Sequence, residues 1–193
     1  QVDDAREALA LCSNALYDSP FNELCMIGIT GSKGKTTTTF LIDAIFRRVT
    51  KNSLFTTVKY RSGDIEEASE RTTMEADRLQ KLLRDSVNHG DTHAIVEVSS
   101  HAVTLKRIAG VEWDAGVFTS FSRDHLDLYG TMENYLEAKL DFFRMLSTSS
   151  KKNKIAVINM DDPAGHKVLG VLNDSVRAVT IGHSDKCSYR IDD

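Results

Sequence analysis

Between residues 28 and 39 the sequence reads GITGSKGKTTTT, a glycine-rich stretch with a lysine and a run of threonines, set between an apolar segment and a helix-forming one. Gly31 and Gly34 let the backbone turn with its N–H groups pointing inward. Lys35 can reach the β- and γ-phosphates of a nucleotide, and the Thr36 hydroxyl can bind a magnesium ion, all at the start of a helix whose dipole favours anions. Such a loop cradles a nucleoside triphosphate. The common spacing wants another glycine five places before Gly34; Ile29 stands there, with Gly28 one residue too early, so the strict pattern is not met. The competing reading is a glycine-rich strand-to-helix turn with a solvated lysine.

Further positions carry groups out of keeping with their surroundings. Glu97 interrupts the apolar run HAIVEVSS (93–100), where an ionised carboxylate is costly unless a metal or a Lys or Arg partner meets it. Residues 123–127, RDHLD, follow another apolar run and concentrate groups that bind metal or phosphate. Taken alone, a histidine such as His125 is more often a structural hydrogen-bonding group than a ligand. Lys139 lies in a helical stretch, and periodicity alone places it on the solvated face. Thr72 and Glu75 have the spacing of a capping box, which predicts a helix starting near Thr73.

The elements that must position these groups alternate along the chain. Residues 3–17 carry apolar residues at helical spacing, and 24–30 (LCMIGIT) reads as a buried strand. A helix is predicted from Thr36 to about Val49, a strand over 53–58, and a polar hairpin-like region around Ser62, Gly63 and Asp64. The helix from Thr73 continues through Leu79, Leu82, Leu83 and Val87. Strands at 93–100, 116–122, 154–160 and 176–182, with helices from Met132 to about Met145 and around 163–172, complete the series. Strands separated by such helices predict an α/β fold, a mostly parallel sheet flanked by helices on both faces. Ligands of such sheets sit at the carboxyl ends of the strands, and the unusual polar residues, at 30–37, 97–101, 119–127 and 159–162, all fall there.

Composition narrows the classes. The 193 residues are 41% hydrophobic and 27% charged with a net charge of -4, which fits one globular domain and no broad basic field for nucleic acid or an anionic membrane. Cys12, Cys25 and Cys187 are odd in number and far apart, so neither a disulfide framework nor a zinc site is readable and a cytoplasmic home is expected. No apolar run approaches the roughly 18 residues of a spanning helix, and the start QVDDAREALAL has no export pattern. No membrane insertion is expected. The start at Gln1 and the stop at Asp193 suggest a piece of a longer chain.

Thr30-Gly31-Ser32-Lys33-Gly34-Lys35-Thr36-Thr37 resembles the TGTNGKTT loop of the Mur ligases. VEVSSHAVTLKRIAG (96–110) and VFTSFSRDHLDLYGTMENYLEAK (117–139) are similar to stretches of the UDP-N-acetylmuramoyl-tripeptide synthetase branch, which adds the third amino acid of the stem peptide; RTTME (71–75) and INMDDPAG (158–165) match its TTPE-like and INxDD segments. The resemblance covers most of residues 24–165 in order. It implies a P-loop NTPase-like central ATPase domain, shortened at its carboxyl end, with the amino-terminal UDP-binding and carboxy-terminal amino-acid-binding domains outside this chain.

What else the resemblance implies is specific. ATP would be held by Gly31, Ser32, Lys33, Gly34, Lys35, Thr36, Thr37 and Asn159. Two Mg2+ ions would be held by Thr36, Glu97, His125 and Lys139, the lysine carbamylated by carbon dioxide; a buried lysine deprotonates readily, as carbamylation needs. Thr72, Thr73, Ser99 and Arg107 would contact UDP-N-acetylmuramoyl-dipeptide, while a glutamine that some relatives carry two places before the arginine is Leu105 here. Lys35, Glu97, His125 and Lys139 would be the catalytic set of a monomer. The implied reaction is attack of the substrate carboxylate on the γ-phosphate, giving an acyl phosphate, and then attack by the amine of a free amino acid.

The added amino acid, commonly diaminopimelate or lysine in this branch, is not legible, although Lys33 in place of the usual Asn is similar to some lysine-adding members. Two rival functions stand beside this one. A folylpolyglutamate or cyanophycin synthetase shares the ATP chemistry, but Thr72-Thr73 and EVSSHA point away from it. A non-catalytic nucleotide-binding domain would have no need of Lys35, Glu97, His125 and Lys139 together.

Overall fold

The computed structural model describes residues 2–192. Helices and strands alternate: α1 Ala5–Leu16, β1 Cys25–Thr30, α2 Lys35–Phe46, β2 Asn52–Phe55, β3 Lys59–Ser62, β4 Ile65–Ala68, α3 Ala76–Asn88, β5 His93–Glu97, α4 Ser100–Thr104, β6 Ala115–Phe118, α5 Leu126–Tyr129, α6 Met132–Thr148, β7 Lys154–Asn159, α7 Ala164–Gly170, β8 Val176–Gly182 and β9 Tyr189–Arg190. The strands form one sheet in the order β4-β3-β2-β5-β1-β6-β7-β8-β9. β3 and β4 are an antiparallel hairpin added to β2, and the other pairings are parallel. The mostly parallel α/β sheet is therefore as expected, and the short elements α4, α5 and β9 are additions that periodicity does not reveal.

Alternation along the strands divides the core. Met26, Ala94, Val96, Phe118, Ala156 and Ile158 enter a large cluster with residues of α3, α4, α6 and α7, whereas Ile27, Ile29, Leu54 and Ile95 form a smaller one under Phe40, Ile42 and Phe46 of α2. The two faces are covered unequally. Beyond α2, on the side of the smaller cluster, Val117, Ile155 and Val157 remain half-buried. Full burial at about 25 cal/mol per Å² of apolar surface would still be gained there by a further covering element.

The expected capping box does not form. α3 begins at Ala76 with Glu75 as its N-cap and no side-chain cap bond, because the Glu75 carboxylate is taken by Arg71 at 3.2 Å and Arg107 at 2.8 Å. Thr72 and Thr73 point elsewhere, into the site described below.

Gly28 also finds its reason in packing. A Cβ there would stand 2.4 Å from Phe142 and 3.0 Å from Trp113, so this glycine admits aromatic rings against the sheet and has no part in the loop that follows.

Candidate functional site

β5, β1, β6 and β7 are adjacent and parallel, so their carboxyl ends bring 97–101, 30–37, 119–127 and 159–162 to one edge. The loop after β1 turns at Gly31 (φ 152°), where a Cβ would lie 2.0 Å from Thr119 Oγ1; the residue is glycine because the loop after β6 packs directly on it. That second loop clamps the first. Ser32 N donates to Ser120 O at 2.7 Å, Lys33 N to Ser120 Oγ at 3.1 Å, and Thr119 Oγ1 to Lys33 O at 2.7 Å. Asn159 supports the clamp by donating to Thr119 O at 2.8 Å, while its Oδ1 accepts from Asp161 N at 3.0 Å.

α2 starts from Gly34 without a side-chain cap, and the first-turn N–H groups of Lys35, Thr36 and Thr37 have no intrahelical partner. With the helix dipole they form an anion cradle. Lys35 Nζ lies over the loop, donating to Gly31 O at 2.9 Å and Ser32 O at 3.2 Å. Burial lowers its pKa, against the pull of Glu97 and Asp124.

Glu97 is the last residue of β5 and fully buried. Of its two expected partners, the structure supplies no Lys or Arg ion pair among the described residues. Its carboxylate instead accepts from Thr36 Oγ1 at 3.1 Å, Thr57 N at 3.0 Å and Thr57 Oγ1 at 3.1 Å. A carboxylate beside a hydroxyl is a donor set of hard oxygens, the kind magnesium takes. The cradle and this oxygen pair fit a nucleoside triphosphate with its cation.

On the other side of Glu97 the candidate acceptor-binding residues meet. Thr57 Oγ1 donates toward Thr72 Oγ1 at 3.1 Å as well as toward the Glu97 carboxylate, so its one proton is shared between the two acceptors. Thr73 Oγ1 donates to Glu97 O at 2.6 Å and accepts from Ser99 N at 3.0 Å. Arg107 is 8% exposed, donates to Thr73 O at 3.0 Å and pairs with Glu75, leaving its Nε without a partner. It is thus a rear support of the Thr73 turn as the structure stands.

A second group of residues lies toward α6. Lys139 is 1% exposed, against the solvated position that periodicity suggested: Tyr135, Lys139, Phe142, Phe143 and Leu146 are all buried on one stripe of α6. Its Nζ stands 4.5 Å from the centroid of the Tyr135 ring. Burial first, and then the neighbouring Lys35 charge, push its pKa down to about 7, with Asp124 opposing. His125 is the N-cap residue just before α5, in the left-handed region (φ 50°), its Nε2 3.5 Å from Asp124 Oδ2 and its ring 5.7 Å from that of Tyr135. His101 packs edge-on against it at 4.8 Å, and burial lowers the His101 pKa.

The structure thus joins Thr36 with Glu97 and gathers His125 and Lys139 around Tyr135. Among the described residues no group of three or more His, Cys, Asp or Glu converges as a metal centre. Thr57, Asp124 and Tyr135 were missed as individual site residues. Tyr135 had a signal, standing one helical turn before Lys139; Thr57 had only its place just beyond a strand. No helix is long and apolar enough to cross a membrane among the described residues.

The Mur ligase middle domain family model matches residues 29–193. The chain is 41% identical over 171 residues to the UDP-N-acetylmuramoyl-L-alanyl-D-glutamate–2,6-diaminopimelate ligase of Geobacter metallireducens, covering 87% of this chain and 34% of that protein. The Cytophaga hutchinsonii ligase of the same name is 40% identical over 185 residues, with 95% of this chain and 36% of that protein covered. A solved ligase structure of that name superposes with a TM-score of 0.81 at 27% identity, over 97% of this chain and 39% of that one. The chain spans about a third of the length of the curated relatives it matches.

Proposed function

The chain belongs to the Mur ligase middle-domain family, and from that premise we propose that it is the ATP-binding central domain of a ligase that adds the third amino acid to UDP-N-acetylmuramoyl-dipeptide. The observation that carries this is the placement of Thr36 and Thr57 on the same buried carboxylate, Glu97, with Thr57 bonded onward to Thr72. One side of Glu97 faces the nucleotide loop and the other faces Thr72, Thr73 and Ser99, the residues proposed to meet the muramoyl dipeptide.

In this reading Gly31, Ser32, Lys33, Gly34, Lys35, Thr36 and Thr37 hold the triphosphate, and Asn159 holds their clamp. Lys35 neutralises charge on the transferred phosphoryl group as the dipeptide carboxylate attacks, forming an acyl phosphate and releasing ADP. Thr36 and Glu97 would hold a first magnesium ion, and Glu97, His125 and Lys139 a second; bound there, the ions supply charge neutralisation of the phosphoryl oxygens. The low Lys139 pKa keeps a share of the amine neutral near pH 7. A neutral amine can add to carbon dioxide with loss of one proton, giving a carbamate that suits magnesium better than an ammonium does.

The names of the relatives point to diaminopimelate as the incoming amine. Its pocket and the uridine pocket belong to domains outside this chain. The half-buried Val117, Ile155 and Val157 support a central domain that extends further. The protein would act as a monomer, and the free cysteines Cys12, Cys25 and Cys187 are consistent with a cytoplasmic site of action.

The test is ATP-dependent phosphate release by the full-length parent protein with UDP-N-acetylmuramoyl-dipeptide and either diaminopimelate or lysine. The expected result is release that requires the muramoyl substrate and diaminopimelate, falls with Lys139→Ala, and partly returns when a short-chain carboxylic acid is added. Release driven by another acceptor, or nucleotide binding with no acceptor that stimulates release, overturns the proposal.

A further inference from the structure

Tyr135 touches several groups to which the proposed function gives separate tasks, and that function assigns nothing to Tyr135 itself. The side chain is 1% exposed, so its hydroxyl must find a partner inside the protein. That partner is Ser32 Oγ, 3.1 Å away on the phosphate loop. Ser32 Oγ lies 3.1 Å from Ser122 O and accepts from Ser122 N at 3.0 Å. With the single Ser32 proton placed on Ser122 O, the phenol is the donor to Ser32. The bond therefore braces three segments: the loop after β1, the loop after β6, and α6.

The ring does a second thing. One helical turn further on, Lys139 Nζ rests 4.5 Å from the ring centroid, so the face of the ring packs against the nitrogen and bounds where it can stand, whatever its charge. The ring is fixed in turn by Phe121 and Tyr129, each 5.3 Å away, and by His125 at 5.7 Å. A shift of the phosphate loop that moved Ser32 would tilt the phenol, and with it the surface that supports Nζ.

We infer that Tyr135 is a positioning residue that locks the phosphate loop and Lys139 into one relative placement, its hydroxyl fixing Ser32 and its ring fixing Nζ. The inference rests on the reading of residues 31–37 as the nucleotide loop.

The two halves separate by substitution. Tyr135→Phe removes the hydroxyl and keeps the ring, Ser32→Ala removes the other partner, and Tyr135→Leu removes both contributions. The experiment measures the dissociation constant of a non-hydrolysable ATP analogue for full-length parent, Tyr135→Phe, Ser32→Ala and the double variant, with Lys35→Ala as a control, and then kcat and KM for ATP in the active variants. Tyr135→Phe should bind the analogue about fivefold more weakly, the size of one ordinary hydrogen bond; Ser32→Ala, which also loses its bonds to Ser122, should lose at least as much, and the double variant should be no weaker than Ser32→Ala alone. Tyr135→Phe should raise the KM for ATP with kcat nearly retained, whereas Tyr135→Leu should lower kcat as well. Additive single effects, unchanged affinity in both, or equal loss of kcat in Phe and Leu variants would overturn the inference. If Tyr135→Leu does not fold, the cycle between Ser32 and Tyr135 decides alone. Undiminished analogue binding by Lys35→Ala is a different outcome, because it removes the nucleotide reading itself.

Discussion

Thr57 donates to the buried Glu97 carboxylate twice, from its backbone N at 3.0 Å and from its hydroxyl at 3.1 Å. No motif marked Thr57, yet it fixes the Glu97 carboxylate between the nucleotide loop and Thr72. Partners of this kind orient a metal-binding oxygen and typically matter by about 10- to 100-fold in metal affinity. Thr57→Val, which keeps the shape and the backbone bond, should weaken the apparent magnesium affinity of phosphate release by about tenfold. A magnesium titration of the full-length protein reads this, and an unchanged midpoint would remove Thr57 from the metal-orienting set.

Lys139 gives a pH signature in carbon dioxide-free buffer. Its folded pKa of about 7 lies below the ordinary 10.5, so burial penalises the charged form. Below about 7 the lysine is charged folded and unfolded, and the penalty is present in full. Between about 7 and 10.5 the unfolded chain binds more protons, so stability rises with pH through that window. Lys139→Met should therefore stabilise the protein by about 1 kcal/mol or more at acidic pH, with the gain shrinking as pH rises. Urea titrations across that window would show a constant or growing gain if the lysine were as easily charged as a surface one.

Gly31 sets the closeness of the two loops. In Gly31→Ala the new Cβ would meet Thr119 Oγ1 at 2.0 Å, forcing the clamp away from the phosphate loop. Overpacking of this kind costs about 1–3 kcal/mol. A lowered melting temperature together with loss of ATP-analogue binding by calorimetry is expected. Binding at parental affinity would mean that the clamp does not shape the cradle.

Behind the site, Asp43 of α2 is fully buried and carries Arg61 at 2.5 Å, Arg47 at 3.0 Å and the Asn52 amide at 2.7 Å. Burial raises its pKa, but the hydrogen bonds and charges of these partners outweigh burial and hold it below 3.8. Its contribution to stability is thus present above that value and is lost as pH falls through the lower, folded one. Arg61→Met should cost about 3 kcal/mol at neutral pH and less in acid. Equal destabilisation at both pH values would assign the loss to packing alone.

Much of this protein is legible along the chain. The apolar runs fixed the strands within a few residues, their separation by helices implied parallel pairing, and the glycine-lysine-threonine loop announced phosphate chemistry. Glu97 stood out because a carboxylate at the end of an apolar strand requires a reason. Lys139 was readable but misread, since counting from Tyr135 by helical turns leads through Lys139 to Phe143 on the inner stripe.

Other features depended on the assembled sheet. Thr72 and Glu75 have the local spacing of a cap, but Arg107 and Thr57 arrive from residues distant in sequence and win their side chains, as tertiary bonds override a weak local preference. The order β2-β5-β1-β6 brings Thr57, Glu97, the phosphate loop and the 119–127 loop side by side, a neighbourhood that no window of sequence contains. Sequence determined the main helices and strands and most of the residues that are chemically out of place. Tertiary structure decided which of them meet, because strand order and helix docking are set by burial of the whole core and not by any segment alone.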